Sequence, residues 1–207
     1  MTLDQFRPHV KGVMDPFVTI SLRIGLTPNI FTIISFLGAV GAGIAFFYQN
    51  VPAGVFLVMV NAACDAMDGA LARAMETQSV QGDFLDHVVD RYADIFIITG
   101  IFAGGYAPWW IGVIALTGVL MSSYLGTQAQ AVGVGRFYGG VLGRADRLLL
   151  TILAGLFTIL LPAGVFGLSY LGWLLVIFGV FGHLTAIQRF VYTWRQMAIQ
   201  NEEDAAK

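Results

Sequence analysis

Asp65, Asp68, Asp86 and Asp90 lie inside two stretches of the 207-residue chain that are otherwise apolar enough to sit in lipid. A carboxylate at bilayer depth costs about 2.5 kcal/mol or more, so such a group usually faces a cavity and marks a working site. At the pitch of an α-helix, Asp68 falls about 60° from Asp65, Gly69 about 40° to the other side, and Ala72 about 20° away. One helix face therefore carries two carboxylates beside two residues with almost no side chain. On the next segment Gly82, Asp86, Asp90 and Asp94 recur at i+4 and form a slowly drifting stripe. Packed along these faces, the two helices would bring four carboxylates to one point.

Clustered carboxylates cannot all stay ionised unless a cation lies between them. Oxygen ligands without His or Cys select Mg²⁺, Mn²⁺ or Ca²⁺ over zinc or copper. Gly69 and Ala72 leave room for a ligand to reach the backbone, and Arg73 adds a planar fork suited to phosphate. A metal-bound phosphate or diphosphate is the implied guest. Helix capping would not call for four acids with matched small residues.

Asp65, Asp68, Gly69, Ala72 and Arg73, then eight residues, then Gly82, Asp86 and Asp90 fit D-x-x-D-G-x-x-A-R-x(8)-G-x-x-x-D-x-x-x-D at every position. This resembles the signature of the CDP-alcohol phosphatidyltransferases, membrane enzymes of phospholipid synthesis. The resemblance implies that an acceptor hydroxyl attacks the phosphorus attached to the lipid alcohol of a CDP-alcohol, releasing CMP. It implies Mg²⁺ (or Mn²⁺) held by Asp65, Asp68, Asp86 and Asp90, with Asp90 also the catalytic base. The CDP group is expected against Asp65, Gly69, Ala72 and Arg73, with Asn29 and Thr32 hydrogen-bonding the base. The family also suggests a homodimer. The expected partners are a CDP-lipid, a small polar acceptor and the bilayer, with no nucleic acid.

A second stretch, AVGVGRFYGGVLGRADRLLL, joins two predicted spans. Arg144 and Arg147 share a helix face at i+3, where they could hold a phosphate. Arg136 lies in the glycine-rich approach and Arg189 returns to the same edge, so all four are candidates for binding the acceptor. GRADRL resembles the E-R-x-E-R-L stretch of the family branch that uses inositol phosphate, as does Ser123-Tyr124. Gly126 to Gln130, GTQAQ, departs from the R-A-R-A-E common in that branch. Inositol phosphate is the first expectation, from CDP-diacylglycerol or CDP-archaeol; glycerol phosphate or serine are the alternatives.

The elements that must position these residues follow from composition. With 57% hydrophobic and 12% charged residues, the chain suits lipid and not water. The fold class expected is all-α integral membrane protein: six transmembrane helices preceded by an N-terminal amphipathic interfacial helix. Residues 1–26 form that helix, from Leu3, Phe6, Val10, Val13, Phe17, Ile20 and Ile24 on one side and Asp4, Arg7, Lys11 and Asp15 on the other. A bend is expected at Pro16. No signal peptide is expected at this N-terminus. Gly25 should end the helix, with Thr27 as N-cap and Pro28 as first residue of the next.

Spans of bilayer length are expected at 28–48, 53–75, 83–104, 108–130, 146–162 and 168–192, forming one membrane domain with a cytoplasmic tail at 193–207. All eleven Lys and Arg lie at or near one side of that arrangement, which makes both termini and the acidic site cytoplasmic. Arg91 is expected to pair with Asp94 one turn away. His183 is expected to be a hydrogen-bonded core histidine, Cys64 a small filler, and His87 to point about 100° away from Asp86, outside the metal shell. A cation transporter would also line a cavity with carboxylates, but it needs a polar path to the far side, which the spans do not offer.

Overall fold

Glycine, proline and short polar side chains divide the chain into helices. A computed structural model describes residues 7–135, 137 and 139–205, and among them lie seven: α1 (Arg7–Arg23), α2 (Pro28–Phe47), α3 (Val51–Ala74), α4 (Val80–Ala103), α5 (Trp109–Ala131), α6 (Arg144–Leu160) and α7 (Tyr170–Ala205). Gly25 takes a φ of 72° as the chain leaves α1, a region open to glycine at little cost. Thr27 is extended and Pro28 opens α2, but the Thr27 side chain makes no cap bond. Asn50 and Ser79 do cap, accepting from Ala53 N and Gly82 N. Gly143 N donates to Asp146 Oδ2 at 2.9 Å, which closes the first turn of α6.

α2 to α7 overlap, in order, the six stretches expected to span, and four of them have the length and apolarity of a crossing. α2, α3, α5 and the 170–202 stretch of α7 are long and apolar enough to cross a membrane. α7 continues past the expected end of the last span through Ala205, into the stretch expected as a cytoplasmic tail, because YTWRQMAIQNEEDA contains no Gly or Pro to stop it. α1 is continuous through Pro16. Its Phe17 and Ile20, and Ile24 just past its end, are exposed, while Val18 packs on Met67 and Leu71 of α3. Leu3, Phe6 and Asp4, and the side chains of Arg7, Val10, Lys11 and Val13, lie outside the described residues.

α2 packs on α3 and α4, α5 on α7, and α6 against α3 and α7. Phe46, Val58, Ile98, Ile101, Val119, Leu171 and Phe178 fill the middle. Small residues let backbones meet: a Cβ on Gly100 would run into the Gly43 carbonyl, and one on Gly182 would lie 2.7 Å from Gly118 C. Asn61 and Ser35 tie α3 to α2 reciprocally; Asn61 Nδ2 donates to Ser35 O and Oγ at 2.9 and 2.8 Å, and Ser35 Oγ donates to Asn61 O. At one end Gln49 Nε2 donates to Gly104 O, and Ser169 Oγ to Tyr106 O, gathering the turns before α3, α5 and α7. At the other end the turns before α2 and α4 meet the end of α5 around a cavity.

Candidate functional site

The α3–α4 hairpin brings the acids together. Asp65, Asp68 and Asp86 each offer a carboxylate oxygen, and these lie within 4.8 Å of one another. The donor set is all oxygen, drawn from two helices, and suits a hard divalent ion such as Mg²⁺ or Mn²⁺. The Ser79 cap fixes the first turn of α4, which puts Gly82 and Asp86 in register with Asp68 and Gly69 of α3. Asp68 is buried and accepts a hydrogen bond from Thr32 Oγ1 at 2.9 Å. Thr32, expected to reach a base, thus directs its hydroxyl proton at a carboxylate.

Two of the sequence expectations about pairing change. His87 does not point away: its Nδ1 lies 3.8 Å from Asp86 and its Nε2 3.6 Å from Asp83, one turn back on α4. Asp86, His87 and Asp90 form a second group whose ligand atoms lie within 4.8 Å. Arg91 does not pair with Asp94; its Nη1 is 3.4 Å from Asp90 Oδ2. Asp94 is taken from another helix, by Arg147 Nη2 at 2.7 Å, with both side chains buried. Expectation from one helix favours the i+3 neighbour, but a guanidinium from α6 reaches the buried carboxylate and satisfies it away from lipid.

Of the four candidate acceptor residues, Arg144 and Arg147 abut the acids. Arg144 Nη1 contacts Asp65 Oδ1 and lies 2.7 Å from Asp90 Oδ1. Nε and Nη2 of Arg144, and Nε of Arg147, are buried without a hydrogen-bond partner among the described residues. Arg189 donates from Nε to Gly139 O and from Nη1 to Ser122 O, holding the connection before α6 to α5 and α7. Leu142 N donates to Thr185 Oγ1, and Phe137 stacks on Tyr192, fixing the same connection. Arg136 lies outside the described residues. His183 sits with Nε2 3.5 Å from Thr117 Oγ1, and Cys64 is half-buried.

A cavity of about 770 Å³ opens over Asp68 and Asp86. Five of the six candidate nucleotide residues line it: Asn29, Thr32, Gly69, Ala72 and Arg73; Asp65 is not in the cavity wall. Arg73 curls back over Gly69, its Nη1 only 3.3 Å from where a Cβ would stand. The wall also includes Thr77, Gln78, Ser79 and Asp83 from the hairpin connection and its helix, and Gln130 from α5. Sequence reasoning missed these. Ser79 could have been found as the cap before an apolar run, whereas Gln130 is brought in only by tertiary packing.

With that geometry in place, the comparisons with known proteins are specific. Residues 25–199 match the family model described as CDP-alcohol phosphatidyltransferase. The chain is 37% identical over 173 residues to the archaetidylinositol phosphate synthase of Pyrococcus horikoshii, covering 83% of this chain and 91% of that one. It is 31% identical to the enzyme of that name from Methanothermobacter thermautotrophicus, covering 94% and 95%. Among solved structures, Mycobacterium tuberculosis phosphatidylinositol phosphate synthase with CDP-DAG bound superposes with a TM-score of 0.73 at 25% identity, covering 86% of this chain and 92% of that one. The same enzyme in complex with manganese and citrate also gives 0.73, at 25% identity over 86% and 88%.

Proposed function

This chain belongs to the CDP-alcohol phosphatidyltransferase family and is an integral membrane CDP-alcohol phosphotransferase, and on that premise we propose that it transfers a phosphatidyl-type group from a CDP-lipid to inositol phosphate. The observation that carries the proposal is the convergence of Asp65, Asp68 and Asp86 beneath a cavity walled by Gly69, Ala72 and Arg73.

Asp65, Asp68 and Asp86, joined by Asp90, would hold Mg²⁺ or Mn²⁺. Such an ion supplies neutralisation of the diphosphate and polarisation of the reacting phosphoryl group. Gly69 and Ala72 form the floor for the CDP moiety, where any larger side chain would intrude. Arg73 holds a diphosphate oxygen, and Asn29 lies within the same cavity to meet the base. Asp90 takes the proton from the acceptor hydroxyl as its oxygen bonds to phosphorus; the bond from that phosphorus to the bridging oxygen breaks, and CMP leaves. Arg144 and Arg147 meet the acceptor's phosphate, using N–H groups that the protein leaves unmatched.

The same reading assigns α2 to α7 as six crossings of one membrane domain, with α1 at the interface. The acids, Arg144 and Arg147 gather at the end where Lys and Arg concentrate, which the positive-inside rule places in the cytoplasm with both termini. Homodimer formation is part of the proposal by family likeness. A transporter is disfavoured because apolar side chains fill the middle of the bundle.

The test is CMP release by the purified protein with Mg²⁺ and CDP-lipid, offering inositol phosphate, glycerol phosphate, serine and free inositol in turn. Inositol phosphate should give the largest kcat/KM and excess chelator should abolish turnover. Preference for an uncharged acceptor would sink the assignment, as would full activity with chelator. Gly69→Leu should block CDP-lipid binding, and Arg73→Ala should weaken it by about 1.5 to 3 kcal/mol, the scale of a charge-assisted hydrogen bond.

A further inference from the structure

We propose that the Arg144 guanidinium and a divalent ion are alternative occupants of the space between Asp65 and Asp90, so that loading the ion releases Arg144 to grip the acceptor's phosphate. This rests on the transferase reading above and adds an order to it: metal first, acceptor second, with Arg144 as the positioning residue that links them.

The first observation is the sharing of one nitrogen. Arg144 Nη1 contacts Asp65 on α3 and lies 2.7 Å from Asp90 on α4, two of the four acids assigned to the metal. A carboxylate lone pair aimed at a guanidinium is not available to an ion. Arg91 also reaches Asp90, but at 3.4 Å and from the neighbouring position on the same helix, so it does not bridge the two helices.

The second observation is how poorly Arg144 is satisfied there. A guanidinium carries five N–H donors in a rigid fork, yet Nε and Nη2 are buried with no hydrogen-bond partner among the described residues. Unmatched buried donors are costly, and a phosphate can take two in parallel. The ion pair holds Arg144 through Nη1 alone, so releasing that one nitrogen lets the whole fork turn to a phosphate.

The third observation is that the helix carrying Arg144 is anchored by contacts that do not include Arg144. Arg144 is the first residue of α6, while Arg147 one turn on is fixed to Asp94, which is not among the four metal acids. The connection before it is tied by Leu142 N to Thr185 and by Gly139 O to Arg189. Only the Arg144 side chain needs to swing. Linkage then requires metal and acceptor to tighten each other's binding by the same factor.

The experiment measures Mn²⁺ binding to the full chain in nanodiscs by the electron paramagnetic resonance of free Mn²⁺, with and without saturating inositol 1-phosphate. In the wild type, the phosphate should tighten Mn²⁺ binding about fivefold or more, the lower end of typical coupling. Arg144→Gln, without phosphate, should bind Mn²⁺ more tightly than wild type by about the same factor, and inositol 1-phosphate should no longer affect it. Mn²⁺ affinity unchanged or weakened in Arg144→Gln, or coupling that survives the substitution, would overturn the proposal. Should Arg144→Gln fail to fold, Arg144→Lys keeps the cation but not the fork; its coupling should fall below half the wild-type factor, roughly the loss of one parallel hydrogen bond, and full coupling overturns the proposal. Failure of the transferase reading shows separately, as no CMP release by the wild type, because the competition for Mn²⁺ without phosphate involves no substrate.

Discussion

Where α2 crosses α4, backbone lies on backbone: Gly43 against Phe96 and Gly100, and Gly104 against the Phe46 carbonyl. At the opposite end of the bundle α2, α3, α4 and α6 meet through side chains, in the Thr32–Asp68 hydrogen bond and the pairs of Arg144 with Asp65 and Asp90 and of Arg147 with Asp94. The glycine crossing has one arrangement, since nothing there can rotate out of the way. At the charged end Arg144, shared between two acids, can trade one oxygen for another, while Arg147 stays on Asp94. A site that must admit a charged lipid, an ion and an acceptor is thus built on exchangeable contacts and held in place by contacts that are not.

The sharpest way to break that contrast is within the charged end itself. Asp94→Ala leaves Arg147 buried without its partner, and should cost about 3 to 5 kcal/mol of stability, the scale for halving a buried ion pair; thermal unfolding in detergent measures it. If Asp94 instead belonged to the exchangeable set, stability would hold and activity alone would fall. Asp65→Asn, Asp68→Asn and Asp86→Asn should each lower kcat by about 100- to 1,000-fold, the scale for losing a group that stabilises transition-state charge. Each should retain the wild-type unfolding temperature within a few degrees, checked on the same samples.

Gly100→Val tests the fixed end. Overpacking there should destabilise by about 1 to 3 kcal/mol, seen as a lower unfolding temperature, whereas Gly69→Ala meets only the flexible tip of Arg73 and should leave stability unchanged. Equal losses from the two would show that the ends are not built differently. Thr32→Val should have the smallest effect. Losing its hydrogen bond to Asp68 should weaken Mn²⁺ binding by about 0.5 to 1.5 kcal/mol, while a dominant loss of CDP-lipid affinity would return Thr32 to the nucleotide.

The acidic face was legible in the sequence because helical periodicity alone places Asp65, Asp68, Gly69 and Ala72 together, and i+4 spacing aligns Gly82, Asp86 and Asp90. Helix boundaries were legible where Gly25, Thr27 and Pro28 interrupt the apolar runs, and illegible after Tyr192, where polarity rose but nothing broke the helix. The partners of Asp94 and Thr32 were hidden for a common reason. Spacing along one helix ranks neighbours on that helix, and both residues are satisfied from another one, 53 and 36 residues away in sequence. His87 illustrates the limit of an angular argument: a ring nitrogen two bonds beyond Cβ can reach a neighbour that its Cα–Cβ direction avoids. Gln130 needed the α5 placement before it could be seen at the cavity.

The reciprocal clasp of Asn61 and Ser35 has a bearing on biogenesis. An amide paired only with the neighbouring helix makes α2 and α3 a hairpin whose two legs cannot slip past one another without stranding donors in hydrocarbon, where nothing replaces the lost bonds. The clasp lies one to two turns from Asp65 and Asp68 along α3 and one turn from Thr32 along α2. When the nascent hairpin enters the bilayer, that lock sets which residues come level with each other. Thr32 and Asp68 are then held level with each other by the hairpin itself, and the carboxylates of α4 have a fixed edge to meet.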